Sequence, residues 1–290
     1  FSGSISVTAE NDIDLTGGGN TYTYAQIGHG GLGASGNHSA TFVNVTSNSG
    51  SIDLIAASQG GSIPGSMESY AQIGLGGLRA DGIMSAPINV SAATGLRLSG
   101  GGGDNNYAMI GNGGNFSDGA KSGDIDVVTA AGNITTSGSA HHQLSPAQIG
   151  HGGVSANGDT SGGIQVVATA GNVNGWGGAA LQSYAQIGHG GHGSNGNHGL
   201  AADVTRVIAN ALDFNGGSGT DAYAQLGNGG HLADGTFAGD ILVNVDATSG
   251  LPTAGAGALT MDAGSGENSY VMIGHGGTND NVGVNAKSGD

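Results

Sequence analysis

Four histidines stand at one place in a recurring octapeptide. They are His29, His151, His189 and His275, each followed by two glycines. Imidazoles brought to a common spacing could together hold a transition metal such as Zn²⁺, Ni²⁺ or Cu²⁺. Leu75, Asn112 and Asn228 fill that place in other copies, and only His151 and His189 are consecutive. No carboxylate recurs beside them, so a polar ladder facing a turn competes with the metal reading and is preferred to it. His192 and His198 make the stretch around His189 the densest in imidazole.

Calcium is the second candidate cation. GGSGTDAYA from Gly216 fits the nonapeptide pattern of calcium-binding β-rolls and points to Asp221. GGGGDNNYA from Gly100 and AGSGENSYV from Ala263 come close, with Asn105 and Asn268 where aspartate is expected. Copies dozens of residues apart cannot share an ion between successive half-turns, so we expect diffuse calcium affinity rather than such a site. Eight residues past the central Ile or Leu of each copy (Ile27, Ile73, Ile110, Ile149, Ile187, Leu226 and Ile273) stands Ser35, Asp81, Asp118, Asn157, Asn195, Asp234 or Asn281. Glycine follows in the first six, which is tight-turn chemistry, although a column of oxygens could also gather calcium.

Enzyme chemistry finds little support. Sugar cleavage needs two carboxylates fixed on one site. Asp124 and Asp126 share a strand face, but the solvent one. Sequences of the form GxSxG carry no information in a Gly/Ser-rich chain. Phosphate loops lack their lysine, and the N-x-S/T sequons at Asn37, Asn44, Asn89, Asn115 and Asn133 follow from composition. We expect no enzyme, no catalytic residue and no cofactor.

The elements that position these residues are set by repetition. The octapeptide begins at Tyr24, Tyr70, Tyr107, Pro146, Tyr184, Tyr223 and Tyr270, so the spacings are 46, 37, 39, 38, 39 and 47 residues. A short alternating segment precedes each anchor: SISV from Ser4, SIDL from Ser51, PINV from Pro87, DIDV from Asp124, GIQV from Gly163, the less regular DVTRV from Asp203, and DILV from Asp240. Another lies between it and the anchor: IDL at Ile13, LRL at Leu96, NIT at Asn133, NVN at Asn172, LDF at Leu212 and LTM at Leu259. Period-two alternation bounded by Gly and Ser reads as strand. Three short strands per unit describe an all-β parallel β-solenoid of about seven repeats of 37–47 residues, one unit over 1–290, whose stacked units bury a continuous core. Ile125, Val127, Ile164, Val166, Ile241 and Val243 should face it, with Ile27, Ile73, Ile110, Ile149, Ile187, Leu226 and Ile273. One wide coil per repeat is preferred to two, giving a rise of about 34 Å rather than about 67 Å.

Stacking turns columns into ladders. Tyr24, Tyr70, Tyr107, Tyr184, Tyr223 and Tyr270 should stack as rings, interrupted by Pro146; a path for charge or a platform for sugar is the sharper alternative. Gln26, Gln72, Gln148, Gln186 and Gln225 should hydrogen-bond up the stack as an amide ladder, interrupted by Met109 and Met272. Thr21 and Thr23 make one Thr-x-Thr pair, but its failure to recur argues against an ice- or mineral-binding face.

Composition limits the partners. The 290 residues include 63 glycines and no cysteine. Interior glycine at that density excludes long helices, and disulfides and zinc–cysteine sites are ruled out. Lys and Arg total 5 against 21 Asp and Glu, for a formal charge of −16. Such a surface repels phosphates, so no nucleic acid is expected. No apolar run is long enough for a membrane span in this segment. The chain opens at Phe1 and closes at one phase of the repeat, which reads as an excised piece of a longer solenoid or as a subunit that stacks end to end.

The motif GDIxVxA–GNIxxxG, here from Gly123 to Gly138, resembles the repeats of filamentous-haemagglutinin-like adhesins. All seven units carry a looser version with AQIGHGG inserted. The resemblance implies a right-handed parallel β-helix secreted across the outer membrane of Gram-negative bacteria. It also implies an extracellular, cell-surface location and a role in adhesion or filament formation. It transfers no residue-specific role. The expected function is a structural rod or fibre segment of a large secreted surface protein. Its partners would be further copies or further chain end to end, and glycans of host or neighbouring cells. A carbohydrate-binding or carbohydrate-active β-helix domain is the alternative.

Overall fold

The computed structural model describes residues 1–57, 68–245, 257–278 and 286–287. Each repeat contributes one strand to each of three seven-stranded parallel sheets. The first sheet takes Ile5–Ala9, Val43–Ser47, Ile88–Ala92, Ile125–Thr129, Ile164–Ala168, Val204–Ala209 and Asp240–Val245. The second takes Ile13–Thr16, Ser51–Ile55, Gly95–Ser99, Ile134–Ser137, Val173–Trp176, Leu212–Asn215 and Leu259–Asp262. The third takes Tyr24–Ile27, Tyr70–Ile73, Tyr107–Ile110, Ala147–Ile149, Ala185–Ile187, Ala224–Leu226 and Val271–Ile273. Strand neighbours are always one repeat apart, so the fold is a parallel β-solenoid with one coil per repeat. Six intervals of about 4.8 Å give the seven coils a rise of about 29 Å. No described helix is long and apolar enough to cross a membrane.

Register follows the apolar pattern. In the first sheet Val7, Val45, Val90, Val127, Val166, Val207 and Val243 pair in one column. In the second, Ile13, Ile52, Leu96, Ile134, Val173, Leu212 and Leu259 do the same. Ile125, Val127, Ile164 and Val166 are buried as expected, while Ile241 and Val243 are half-buried against the same core. A register slip of one residue would turn every such side chain to solvent. The irregular strand from Asp203 keeps phase by placing Thr205 opposite Ile164 and Ile241.

Two expectations change. SIDL from Ser51 belongs to the second sheet, and the first-sheet strand of that coil is Val43–Ser47. Both segments alternate with period two, so only their neighbours decide which stack they join. A fourth ladder also exists. His38–Ser39, Met84–Ser85, Lys121–Ser122 and Thr160–Ser161 pair in turn, and single bridges carry the ladder through His198 to Phe237, which pairs with Ala286–Lys287. Its strands are two residues long, too short to show a period.

The third sheet is buried on both faces. Ala71, Ile73, Ala108 and Ile110 enter the main core, whereas Tyr70, Tyr107 and Met109 form a second cluster with Leu78. The Gly-rich segment after each anchor therefore folds back over this sheet. That double burial explains why both faces of Tyr-Ala-Gln-Ile are withdrawn from water, and why its glutamine must find partners inside.

Candidate functional site

The tyrosines stack as the sequence suggests. Ring centroids lie 4.7 Å apart for Tyr24–Tyr70, 4.9 Å for Tyr70–Tyr107, 4.7 Å for Tyr184–Tyr223 and 4.8 Å for Tyr223–Tyr270, all nearly parallel. Pro146 divides the column into two triads. Burial pushes the Tyr184 hydroxyl well above its ordinary range, and that of Tyr107 likewise. The hydroxyls therefore stay protonated and donate.

What they donate to is glutamine, one coil back. Tyr107, Tyr184, Tyr223 and Tyr270 give their O–H to Oε1 of Gln72, Gln148, Gln186 and Gln225 at 3.1, 3.2, 3.2 and 3.0 Å. Tyr70 reaches Gln26 at 3.4 Å. The glutamines do not form the expected amide ladder. Gln186 Nε2 instead donates to His189 O, Gly227 O and Gly229 O at 3.1, 3.1 and 3.0 Å. Gln72, Gln148 and Gln225 repeat that pattern, and Gln26 makes its two next-coil bonds, to Gly74 O and Gly76 O. Each glutamine thus knits its own coil to the next. Met109 interrupts the column in the coil before Pro146, where no hydroxyl arrives to be accepted. The glycines make room: a Cβ on Gly111 would collide with the carbonyl of Gly150, and one on Gly114 would lie 2.5 Å from the Tyr107 hydroxyl.

The histidine column is a second strut. Nδ1 of His151 accepts the Asn112 amide at 2.9 Å, and Nδ1 of His189 accepts the His151 amide at 3.1 Å. His275 does the same for Asn228 at 3.1 Å. Nδ1 being the acceptor, Nε2 carries the proton. It donates at 2.8 Å to Gly123 O from His151, to Gly162 O from His189 and to Gly239 O from His275. His29 Nε2 bonds Gly3 O at 2.7 Å. Asparagine copies this pattern: Asn228 Oδ1 accepts the His189 amide at 2.9 Å while Nδ2 donates to Ala238 O at 2.8 Å. That equivalence explains the His/Asn exchange. His151 and His189 do stack, at 4.8 Å between centroids, but with their ring nitrogens committed to backbone. Burial holds both rings below their ordinary value and so neutral. Among the described residues no three His, Asp or Glu side chains converge on a metal site.

Asp221 sits at a left-handed backbone position, φ 56°, in a column with Tyr22, Glu68, Asn105, Leu144, Gln182 and Asn268. Its carboxylate accepts from Asn268 Nδ2 at 3.0 Å and Gln182 Nε2 at 3.4 Å and lies 3.5 Å from His231 Nε2. Gln182 and Asn268 belong to the neighbouring coils and His231 to the same one, so the carboxylate faces amide donors and an imidazole rather than the further oxygen ligands that a calcium site needs. The Asx column forms an exposed ladder, Asn195 Nδ2 to Asn157 Oδ1 and Asn157 Nδ2 to Asp118 Oδ1; Asn281 lies outside the described residues.

Two features escape the sequence reading. One is Lys121, buried in the corner ladder between Met84 and Thr160. Its Nζ donates to Gly119 O and Asn157 O at 2.8 Å, and burial lowers it to about 8. The other is on the outside. The outward column of the first sheet runs Asn44, Asn89, Asp126, Gln165 and Arg206. Two adjoining grooves of about 350 and 330 Å³ lie along it and share Asp126. Burial raises the Asp126 carboxyl, and Asp124 beside it adds to the effect. Each of these residues follows the first fully inward residue of its strand (Val43, Ile88, Ile125, Ile164 and Thr205), and assigning SIDL to the wrong stack left Asn44 out of the column.

No protein-family model matches the chain, and no curated protein or solved structure is significantly similar to it. The geometry alone defines the class: an all-β parallel solenoid whose inward polar side chains bind one coil to the next.

Proposed function

We propose that this chain is a rod or fibre segment of a large secreted bacterial surface protein, an adhesin or extracellular filament. One observation carries the reading. Side chains of two columns, Gln and His/Asn, bond the backbone of a neighbouring coil, so that axial cohesion adds to the sheet ladders. Such one-dimensional coupling suits a load-bearing spacer. Further solenoid, from the same chain or a second copy end to end, is the partner this reading implies. The resemblance of GDIxVxA–GNIxxxG to haemagglutinin-like adhesins supports a bacterial cell-surface location. We assign no catalytic role and no cofactor.

Electron microscopy of the native secreted material tests this. Fibres with an axial repeat of about 4.8 Å, far longer than one seven-coil segment, are expected. Retention inside the cell, or discrete short particles, would overturn it. A carbohydrate-related domain is the second reading, and the outward trough on the first sheet is the observation in its favour.

A further inference from the structure

We propose that the outward trough of the first sheet binds a neutral oligosaccharide, whose hydroxyl groups are held by Asp126, Gln165 and Arg206. The inference rests on the surface-protein reading for access to glycans, and it adds the site and the ligand class.

The contrast with the interior is the starting point. Gln, Tyr, His and Asn columns spend their polar atoms on neighbouring coils. Asp126, Gln165 and Arg206 occupy consecutive coils in one outward register, yet their side chains make no hydrogen bond among the described residues. Three planar, multivalent groups are therefore left facing a groove. The trough's own walls are anchored. Asp124 Oδ1 accepts the Gly163 amide at 2.8 Å, and Asp203 Oδ2 accepts those of Leu200 and Gly162 at 2.8 and 3.0 Å. Two residues further along each strand, Val128, Val167 and Ile208 form a half-buried apolar strip in matching register. The second groove continues the trough toward Asn44 and Asn89, whose side chains bond each other at 2.8 Å. From Asn44 to Arg206 are four coil intervals, about 19 Å.

The chemistry selects the occupant. Sugar hydroxyls both donate and accept, which suits carboxylate, carboxamide and guanidinium together. Sugar C–H faces suit the Val/Ile strip. Anionic glycans meet Asp124, Asp126 and Asp203 against the single guanidinium of Arg206, on a chain of charge −16. An added peptide strand has nothing to pair with, because the amides and carbonyls under the trough are spent on the axial ladder.

The test uses the 290-residue chain on a printed array of neutral, sialylated and sulfated glycans. Calorimetry with the strongest neutral binder then follows. Arg206→Ala and Gln165→Ala should each weaken binding about tenfold or more, as expected when a ligand loses a charged or bidentate partner. Arg97→Ala, on the outward face of the second sheet, should leave it unchanged. Ser91→Trp, which fills the second groove from the outside, should also weaken it and serves if Arg206→Ala does not fold. Absence of neutral binders, preference for sulfated or sialylated glycans, or equal losses in Arg97→Ala and Arg206→Ala would each overturn the proposal. Fibres in the microscope with no glycan bound would sink this inference and leave the rod reading standing.

Discussion

Replacing Gln148 by Met tests the coupling between coils. The substitution keeps the length of the side chain and imitates Met109. Gln148 Nε2 donates to Gly188 O, Gly190 O and His151 O at 3.0, 3.2 and 3.4 Å, and its Oε1 accepts from Tyr184 at 3.2 Å. Two of the carbonyls keep a backbone donor: Gly153 N–H on Gly190 O and Gly190 N–H on His151 O, each at 2.9 Å. The variant therefore strips a donor from Gly188 O and the acceptor from a fully buried Tyr184 hydroxyl. A buried group left without its partner costs about 1–3 kcal/mol, so the expected loss is about 2–6 kcal/mol. Adding Tyr184→Phe removes one of the two orphans. The double variant should then be more stable than the sum of single losses by about 1–3 kcal/mol. Urea unfolding of the four proteins measures this cycle, with amide exchange at Gly190 as a local readout. Additive losses, within about 0.5 kcal/mol, would refute the claim that Gln and Tyr act as one unit.

Other outcomes follow from the same contacts. His151→Asn should unfold within about 1 kcal/mol of the parent, because asparagine already serves at Asn112 and Asn228. His151→Leu should cost about 2–6 kcal/mol by orphaning the Asn112 amide and Gly123 carbonyl, and urea midpoints compare the two. Gly111→Ala, whose Cβ meets Gly150 O with no left-handed φ involved, should lose more than Gly33→Ala, which has φ 62° and open space around it. Equal thermal shifts would show that conformation rather than inter-coil contact demands these glycines. Lys121 titrates near 8 folded and near 10.4 unfolded, so the unfolded chain binds more protons between those values. Lys121 by itself should add about 3 kcal/mol of stability from pH 8 to above 10.4, opposed above about pH 10 by the buried tyrosines with raised folded values, and Lys121→Met, matching Met84, should remove the Lys121 part of the slope. A slope unchanged in the variant would mean that Lys121 does not carry it. Calorimetry with Zn²⁺, Ni²⁺ and Cu²⁺ should give the same heat for the parent and for a His29/His151/His189/His275-to-Asn variant, since the ring nitrogens of His151, His189 and His275 are committed to backbone. Extra heat in the parent would restore the metal reading.

The repeat by itself determined much of this protein. Seven copies of one octapeptide, with alternating Ile and Val between them, require stacked coils, because one coil alone cannot bury its apolar face. The tyrosine column and its break at Pro146 were legible for the same reason: identical spacing places like residues in register. Side-chain direction was not. Gln148 and Gln186 look like an amide ladder in one dimension, yet their amides turn to the glycine carbonyls of the next coil and their oxygens to the next tyrosine. Periodicity says which residues share a face; it does not say what folds back over that face. The Gly-rich segment's return over the third sheet, the burial of Lys121 in a two-residue ladder and the alignment of Asp126 with Gln165 and Arg206 were decided by tertiary structure alone. The Lys121–Asn157 contact and the Asp126–Gln165–Arg206 column join residues 36 or more positions apart through the stacking of separate coils, whereas the Gly-rich return lays Leu78 on Tyr70 within one coil, by a turn that a period-two pattern does not encode.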